Sequence, residues 1–277
     1  MTEQQSGAAG LKHPATGRRV AVLDLNNGVP NLGLRSIVDT VETAAASSNG
    51  VPVVVEVFDV RGKSDFPAMD FDVFISTGGP GSPFDGEGEP WEKRYFEWLG
   101  EAHTLSIPTL FICHSFELMI RFFGLAEVDK RHSPSFGIFP VYLTPAAQND
   151  PVLRAIDNPF YAADFRDWQV VKADRARFKE LDATILALEK IRDHVPLERA
   201  IMAVRVGPNM LGVQFHPEAS AEGMALHFLQ DEKMKSIVKT YGADTFAKMM
   251  ALLEEPNALG HTHATVIPRF LDCAFSN

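Results

Sequence analysis

Arg19 to Leu25 is a near-continuous apolar run that ends in Asn26-Asn27-Gly28-Val29-Pro30-Asn31, a loop by its turn chemistry. Leu34, Ile37, Val38, Val41 and Ala45 then recur at helical spacing from Gly33 to Ala46, and Pro52 to Val60 is a second, β-branched run. Strand, helix and strand in that order imply two parallel strands joined by a right-handed crossover on one face of a sheet. The 277 residues, 45% hydrophobic and 22% charged, suffice for one large α/β domain with appendages or for two small domains.

Phe71 to Ser76 is a third strand, running into Thr77-Gly78-Gly79-Pro80-Gly81-Ser82-Pro83. Adjacent glycines after a buried strand let backbone amides approach a ligand closely, although a plain turn carries the same signature. Trp91 to Leu105 reads as an amphipathic helix with Trp91, Tyr95, Trp98 and Leu99 inward. Thr109 to Ile112 is again a short buried strand, and Phe116, Met119, Ile120 and Phe123 follow at helical spacing, so Cys113 sits at a strand-to-helix junction. A turn that sharp lifts one side chain above the carboxyl edge of the sheet, and the helix start favours the thiolate. The bland alternative is a small buried residue.

Gly137 to Leu143, Phe160 to Val171, Ala183 to Ala187 and Ala200 to Val206 are further strands of more antiparallel character. Gly207-Pro208-Asn209 marks a hairpin into Met210 to Phe215, and the charged stretch Lys190 to Arg199 reads as a surface excursion. That last strand ends by presenting His216 and Glu218 on one face, as a base and its orienting carboxylate require. From Ala221 the pattern is helical over Met224 to Leu229, Met234 to Tyr241 and Phe246 to Leu253, followed by a Pro- and His-containing tail. His261 and His263 there read as solvent-facing and not as metal ligands.

A formal net charge of -10 argues against a phosphate-backbone binder, so no nucleic-acid partner is expected. No membrane span is visible, and Met1 to Thr16 reads as a flexible tail without a secretion signal. Two cysteines, Cys113 and Cys273, are too few for a disulfide scaffold and suit a reducing cytoplasm. Gly28 and Gly33 lack the spacing of a dinucleotide fingerprint. The expected organisation is a tail over 1–17, one domain over 18–230 and a helical extension over 231–277.

A thiol nucleophile needs a base, an orienter and an oxyanion site together. Cys113, His216 and Glu218 supply nucleophile, base and orienter, and the N–H groups of Gly79 and His114 the oxyanion site. Gly78-Gly79-Pro80-Gly81-Ser82-Pro83, the Pro-x-Leu-x-Ile-Cys elbow at Pro108 to Cys113, Gly137-Ile138-Phe139-Pro140-Val141 and Gly212-Val213-Gln214-Phe215-His216-Pro217-Glu218 make the chain resemble a class I, triad-type glutamine amidotransferase over roughly Arg18 to Gln230. The resemblance implies a three-layer, flavodoxin-like α/β fold with a mostly parallel sheet, and thioester hydrolysis of the amide of glutamine or a related γ-glutamyl compound. It also implies substrate contacts at Gly78, Ser115 and Glu117, no metal or other cofactor, and an ammonia acceptor on a separate synthetase chain; a homo-oligomer is compatible with it.

The chain departs from the family elbow Gly-Ile-Cys-x-Gly-His-Gln at Phe111, Ser115 and Glu117. A carboxylate at 117, on the face of the helix that carries Cys113, would raise the thiol pKa and repel the α-carboxylate of glutamine. Asp164-Phe165-Arg166-Asp167-Trp168 replaces a family His-x-Asp segment. Two further readings follow: a catalytically silent relative that binds a ligand or partner in the old pocket, and a γ-glutamyl peptide hydrolase in which Glu117 recognises an amine.

Overall fold

The chain forms β1 (Arg18–Asp24), α1 (Leu32–Ser47), β2 (Val53–Asp59), the short α2 (Val60–Lys63), β3 (Val73–Ser76), α3 (Pro90–Thr104), β4 (Thr109–Ile112) and α4 (His114–Phe123). Then come β5 (Glu127–Leu143), β6 (Phe160–Val171), α5 (Arg175–Glu180), β7 (Ala183–Glu189), β8 (Ile201–Val206) and β9 (Met210–Val213). Four helices close it: α6 (Ala221–Phe228), α7 (Asp231–Tyr241), α8 (Ala243–Glu254) and α9 (Leu259–Phe275). This computed structural model describes residues 17–29, 31–47, 51–191, 198–255 and 257–276. The tail expected at Met1 to Thr16 and most of the Lys190 to Arg199 excursion lie outside the described residues.

One nine-stranded sheet runs β2-β1-β3-β4-β9-β8-β6-β5-β7. From β2 to β9 neighbours are parallel, in the 2-1-3-4 order of a doubly wound sheet. Beyond β9 every pairing is antiparallel, and β7 also pairs with β8, closing a ring of β8, β6, β5 and β7. The sheet is therefore mixed, which corrects the expectation of a mostly parallel one. Among the described residues after Glu127, no helix between consecutive strands is longer than the six residues of α5, too short for the crossover that a parallel neighbour needs.

Side-chain alternation builds two cores from the parallel half. Val20, Val22, Val73, Ile75, Leu110 and Ile112 face Ile37 and Val41 of α1 together with Val266, Ile267, Phe270 and Leu271 of α9. Ala21, Leu23, Phe74 and Phe111 face Tyr95, Trp98 and Leu99 of α3 and Phe116, Met119 and Ile120 of α4. Helices thus cover both faces of the sheet. On the second face Phe111 stands in register beside Gly212 of β9. A Cβ at Gly212 would lie 2.4 Å from Phe116 and 2.7 Å from Met119, so the missing side chain is what lets α4 lie down on the sheet.

Residues 259–275, the Pro- and His-containing end of the expected helical extension, form one 17-residue helix. Pro268 inside it removes one backbone donor, a penalty outweighed by burying one apolar face in the first core. Thr262 Oγ1 donates to Tyr161 O at 2.6 Å, and at the far end Arg18 donates to Phe275 O at 3.0 Å with its guanidinium over the Phe275 ring. His261 and His263 are half-buried on this helix and not solvent-facing. Helices α6 to α8 pack Met224, Phe228, Ile237 and Met249 onto Ile138, Phe139 and Ala163 of the antiparallel half. Among the described residues no helix is long and apolar enough to cross a membrane, and no three His, Cys, Asp or Glu side chains gather as metal ligands.

Candidate active site

Cys113 follows β4 and caps α4 with φ 51° and ψ −104°, a positive φ that a side chain adopts only when the surroundings hold it there. The surroundings are specific. Cys113 N donates to Val213 O at 2.8 Å, fixing the end of β4 to β9, and Ser115 Oγ accepts from Ile112 N at 2.7 Å and donates to Ser76 O at 2.7 Å. These bonds tie the elbow to the strands on either side. The Cys113 thiol is 6% exposed, lines a cleft of about 640 Å³, and donates weakly to Phe165 O at 3.8 Å.

His216 lies just past β9, where its N–H donates to Ala163 O at 2.9 Å and aligns the chain with β6. Its Nδ1 and Glu218 Oε1 are 2.7 Å apart, while Nε2 is buried with no hydrogen-bond partner among the described residues. Gly78 lies against both side chains: a Cβ there would lie 3.1 Å from His216 Cε1 and 3.5 Å from Cys113 Cβ. A side chain there would crowd the imidazole and touch the cysteine. Gly79 presses more closely still on the chain just past β1, its would-be Cβ 2.5 Å from Leu25 O. His114 opens α4, where the first turn leaves N–H groups without partners in the helix.

Burial opposes a charge on His216, but the Glu218 carboxylate and then the Cys113 sulfur outweigh it, and the imidazole pKa stands well above its ordinary value. For Cys113 burial is the larger influence and raises the thiol pKa, with the His216 imidazole pulling the other way. Burial also pushes the His114 imidazole down to about 3, so that ring is neutral. Glu218 rests against the start of α1, where its backbone O accepts from Ser36 Oγ at 2.5 Å. A Cβ on Gly33 would lie 3.0 Å from Glu218 Oε1. That helix start is a favourable place for a carboxylate.

The sequence profile of the Glutamine amidotransferase class-I family matches residues 34–236. The chain belongs to this family. No curated protein matches the sequence. Among solved structures, a glutamine amidotransferase of Thermotoga maritima superposes with a TM-score of 0.68 at 16% identity, over 96% of this chain and 100% of that one. A glutamine amidotransferase of Methylobacillus flagellatus gives 0.60 at 14% identity over 94% and 96%. The glutaminase domain of the Trypanosoma brucei CTPS, with bound acivicin, gives 0.55 at 15% identity over 73% and 87%. At these identities the likeness is one of fold.

In this class-I amidotransferase Cys113, His216, Glu218, Gly78 and Gly79 all border the same cleft. Ser115 and Glu117, expected to touch substrate, lie behind Cys113 at 0% and 3% exposure, and neither lines the cleft. They follow Cys113 onto the buried side of α4, where Ser115 braces the elbow and Glu117 meets Gln214. The far wall comes from residues whose role was not read from the sequence. Phe165 sets its ring centroid 5.5 Å from that of His216 and 4.8 Å from that of Phe136, and His227 and Lys233 from α6 and α7 reach the rim. Only the aromatic replacement in Asp164-Phe165-Arg166 hinted at that wall.

Proposed function

We propose that this chain hydrolyses a carboxamide by cysteine catalysis, with glutamine or a related γ-glutamyl compound as substrate. What carries the reading is the pair His216–Glu218 at 2.7 Å, with Nε2 left bare and Gly78 lying against both the imidazole and Cys113. Nδ1 held by a carboxylate fixes the tautomer, so Nε2 is the atom that accepts a proton. His216 takes the Cys113 proton and the sulfur attacks the carboxamide carbon, forming a C–S bond and a tetrahedral oxyanion. The backbone N–H groups of Gly79 and His114 are assigned to that oxygen. The imidazolium returns its proton to the nitrogen as the C–N bond breaks and ammonia leaves. Water, deprotonated by His216, then attacks the thioester carbon; the C–S bond breaks, the acid product leaves, and Cys113 Sγ takes the proton back from His216.

Membership of the family supports this reading, as does the acivicin-bound glutaminase fold. A putative GMP synthase subunit from Thermoplasma acidophilum adds to it, superposing with a TM-score of 0.51 at 16% identity over 73% of this chain and 85% of that one. By analogy with such synthase subunits, the ammonia is assigned to an acceptor on a separate synthetase chain. Burial of the thiol favours the contrary reading, a silent relative that only binds. One assay decides between them: ammonia released from glutamine by the wild type and by Cys113→Ala. Release by the wild type alone is expected, and equal release by both refutes cysteine catalysis.

A further inference from the structure

Directly behind the nucleophile, on the side away from the cleft, lies a polar pair that the proposed chemistry does not use. Gln214 Nε2 donates to Glu117 Oε1 at 3.0 Å and stands 3.9 Å from Cys113 Sγ. Gln214 is fully buried, and its Oε1 has no donor among the described residues. An ionised Glu117 is acceptor-only and has no donor to offer that oxygen. A protonated Glu117 keeps an acceptor for Gln214 Nε2 and adds an O–H, the kind of donor that Gln214 Oε1 lacks.

Among the described residues, the charges packed around the pair leave Glu117 no counter-ion of its own. From β6, Arg166 Nε binds Asp164 at 2.8 and 3.1 Å, and its Nη2 is 3.2 Å from Glu189 of β7. From β5, Arg131 binds the same Glu189 at 2.9 Å and Ser135 donates to Asp164 at 2.7 Å. Two guanidinium groups thus face two carboxylates. On the loop after β9, His216 is taken by Glu218, and on α4 itself the neighbours are Cys113 and the neutral His114. Arg166 and His216 still favour a charge on Glu117 through space, but each forms its ion pair with another carboxylate, and burial outweighs their pull.

We propose that Glu117 works as an uncharged carboxylic acid, a steric and hydrogen-bonding equivalent of a glutamine side chain, and that loss of its proton shuts down the reactivity of Cys113. Glu117 is a positioning residue: it orients Gln214 beneath the sulfur and keeps negative charge away from it. Burial raises its pKa from 4.5 to about 8, and a charge on Glu117 in turn pushes the Cys113 thiol upward. The shut-down therefore falls just above neutral pH. Glu117 would then not repel glutamine at working pH, which is how the departure from the family Gln is tolerated.

The test needs no substrate, so it stands apart from the hydrolase reading. In a Cys273→Ala background, the rate of Cys113 alkylation by iodoacetamide is followed from pH 6.5 to 9.5 for Glu117 and for Glu117→Gln. The two rates should agree near pH 6.5 and diverge in favour of the Gln variant by several-fold at pH 9, each pKa unit on the thiol being worth about a factor of ten in thiolate. A ratio that does not change with pH overturns the proposal. Infrared difference spectra supply the second measurement, on protein that keeps Glu117. A protonated-carboxyl band present at pH 6.5 and lost by pH 9.5 is expected, and its absence at pH 6.5 overturns the proposal even if Glu117→Gln fails to fold.

Discussion

Glu117 sets a pH dependence of stability as well as of reactivity. Its ordinary pKa is 4.5 and its folded value about 8, so between them the unfolded chain has lost a proton that the folded chain keeps. Stability from this group is full below about pH 4.5 and is lost as pH rises through about 8. Glu117→Gln should therefore be more stable than wild type by roughly 2–4 kcal/mol at pH 7.5 and about equal to it at pH 4, read from urea midpoints at the two pH values. At the other end of the site, Glu218→Gln keeps the shape but weakens the hold on the working tautomer of His216. On the proposed chemistry it should cut ammonia release by on the order of 10³–10⁴-fold, with the fold intact by circular dichroism. Both residues stood out in the sequence, Glu218 by its spacing from His216 and Glu117 by its departure from the family pattern. Charge state was not legible, because it depends on burial and on which neighbours already hold the nearby guanidinium groups.

At the level of elements, the elbow rests on how closely α4 approaches β9. Gly212 has no room for a Cβ beside Phe116 and Met119, so Gly212→Ala should lower stability by about 1–3 kcal/mol through overpacking, measured as a lower urea midpoint. Ser115→Ala removes the acceptor of a buried Ile112 N–H and should cost about 1–3 kcal/mol by the same measurement. The βαβ opening was readable because a buried parallel strand and an amphipathic helix leave different periods in the sequence. β5 was harder to read. Only Gly137 to Leu143 of its Glu127–Leu143 span looked like a strand, since Lys130-Arg131-His132-Ser133-Pro134 has the composition of a loop. The pairing with β6 shifts register between Lys130 and Ser135 and carries the strand through that stretch.

For the molecule as a whole, the C-terminal helices are structural and also shape the site. Phe270 and Leu271 of α9 share a core with Val20 and Val22 of β1, so Phe270→Ala should destabilise the protein by about 3–5 kcal/mol, seen as a lower midpoint in thermal and urea unfolding. Helices α6 and α7 bring His227 and Lys233 to the cleft that Cys113 and His216 border from the opposite side. The sequence marked 231–277 as a helical extension but not what it packs on, and two prolines and two histidines gave residues 255–277 the look of a tail, because one apolar helical face has meaning only against the surface that buries it. By itself the sequence determined the order of strands and helices in the parallel half, the strand-to-helix corner at Cys113, the glycine pair and the His216–Glu218 spacing, all set by local periodicity and short-range geometry. Tertiary structure alone decided how the antiparallel strands beyond β9 are ordered and close into a ring, that Ser115 and Glu117 lie behind the thiol and outside the cleft, and that the Glu117 carboxyl finds an amide and no ion-pair partner. Those outcomes depend on contacts between residues far apart in the chain, and the local pattern around each residue does not encode what packs against it.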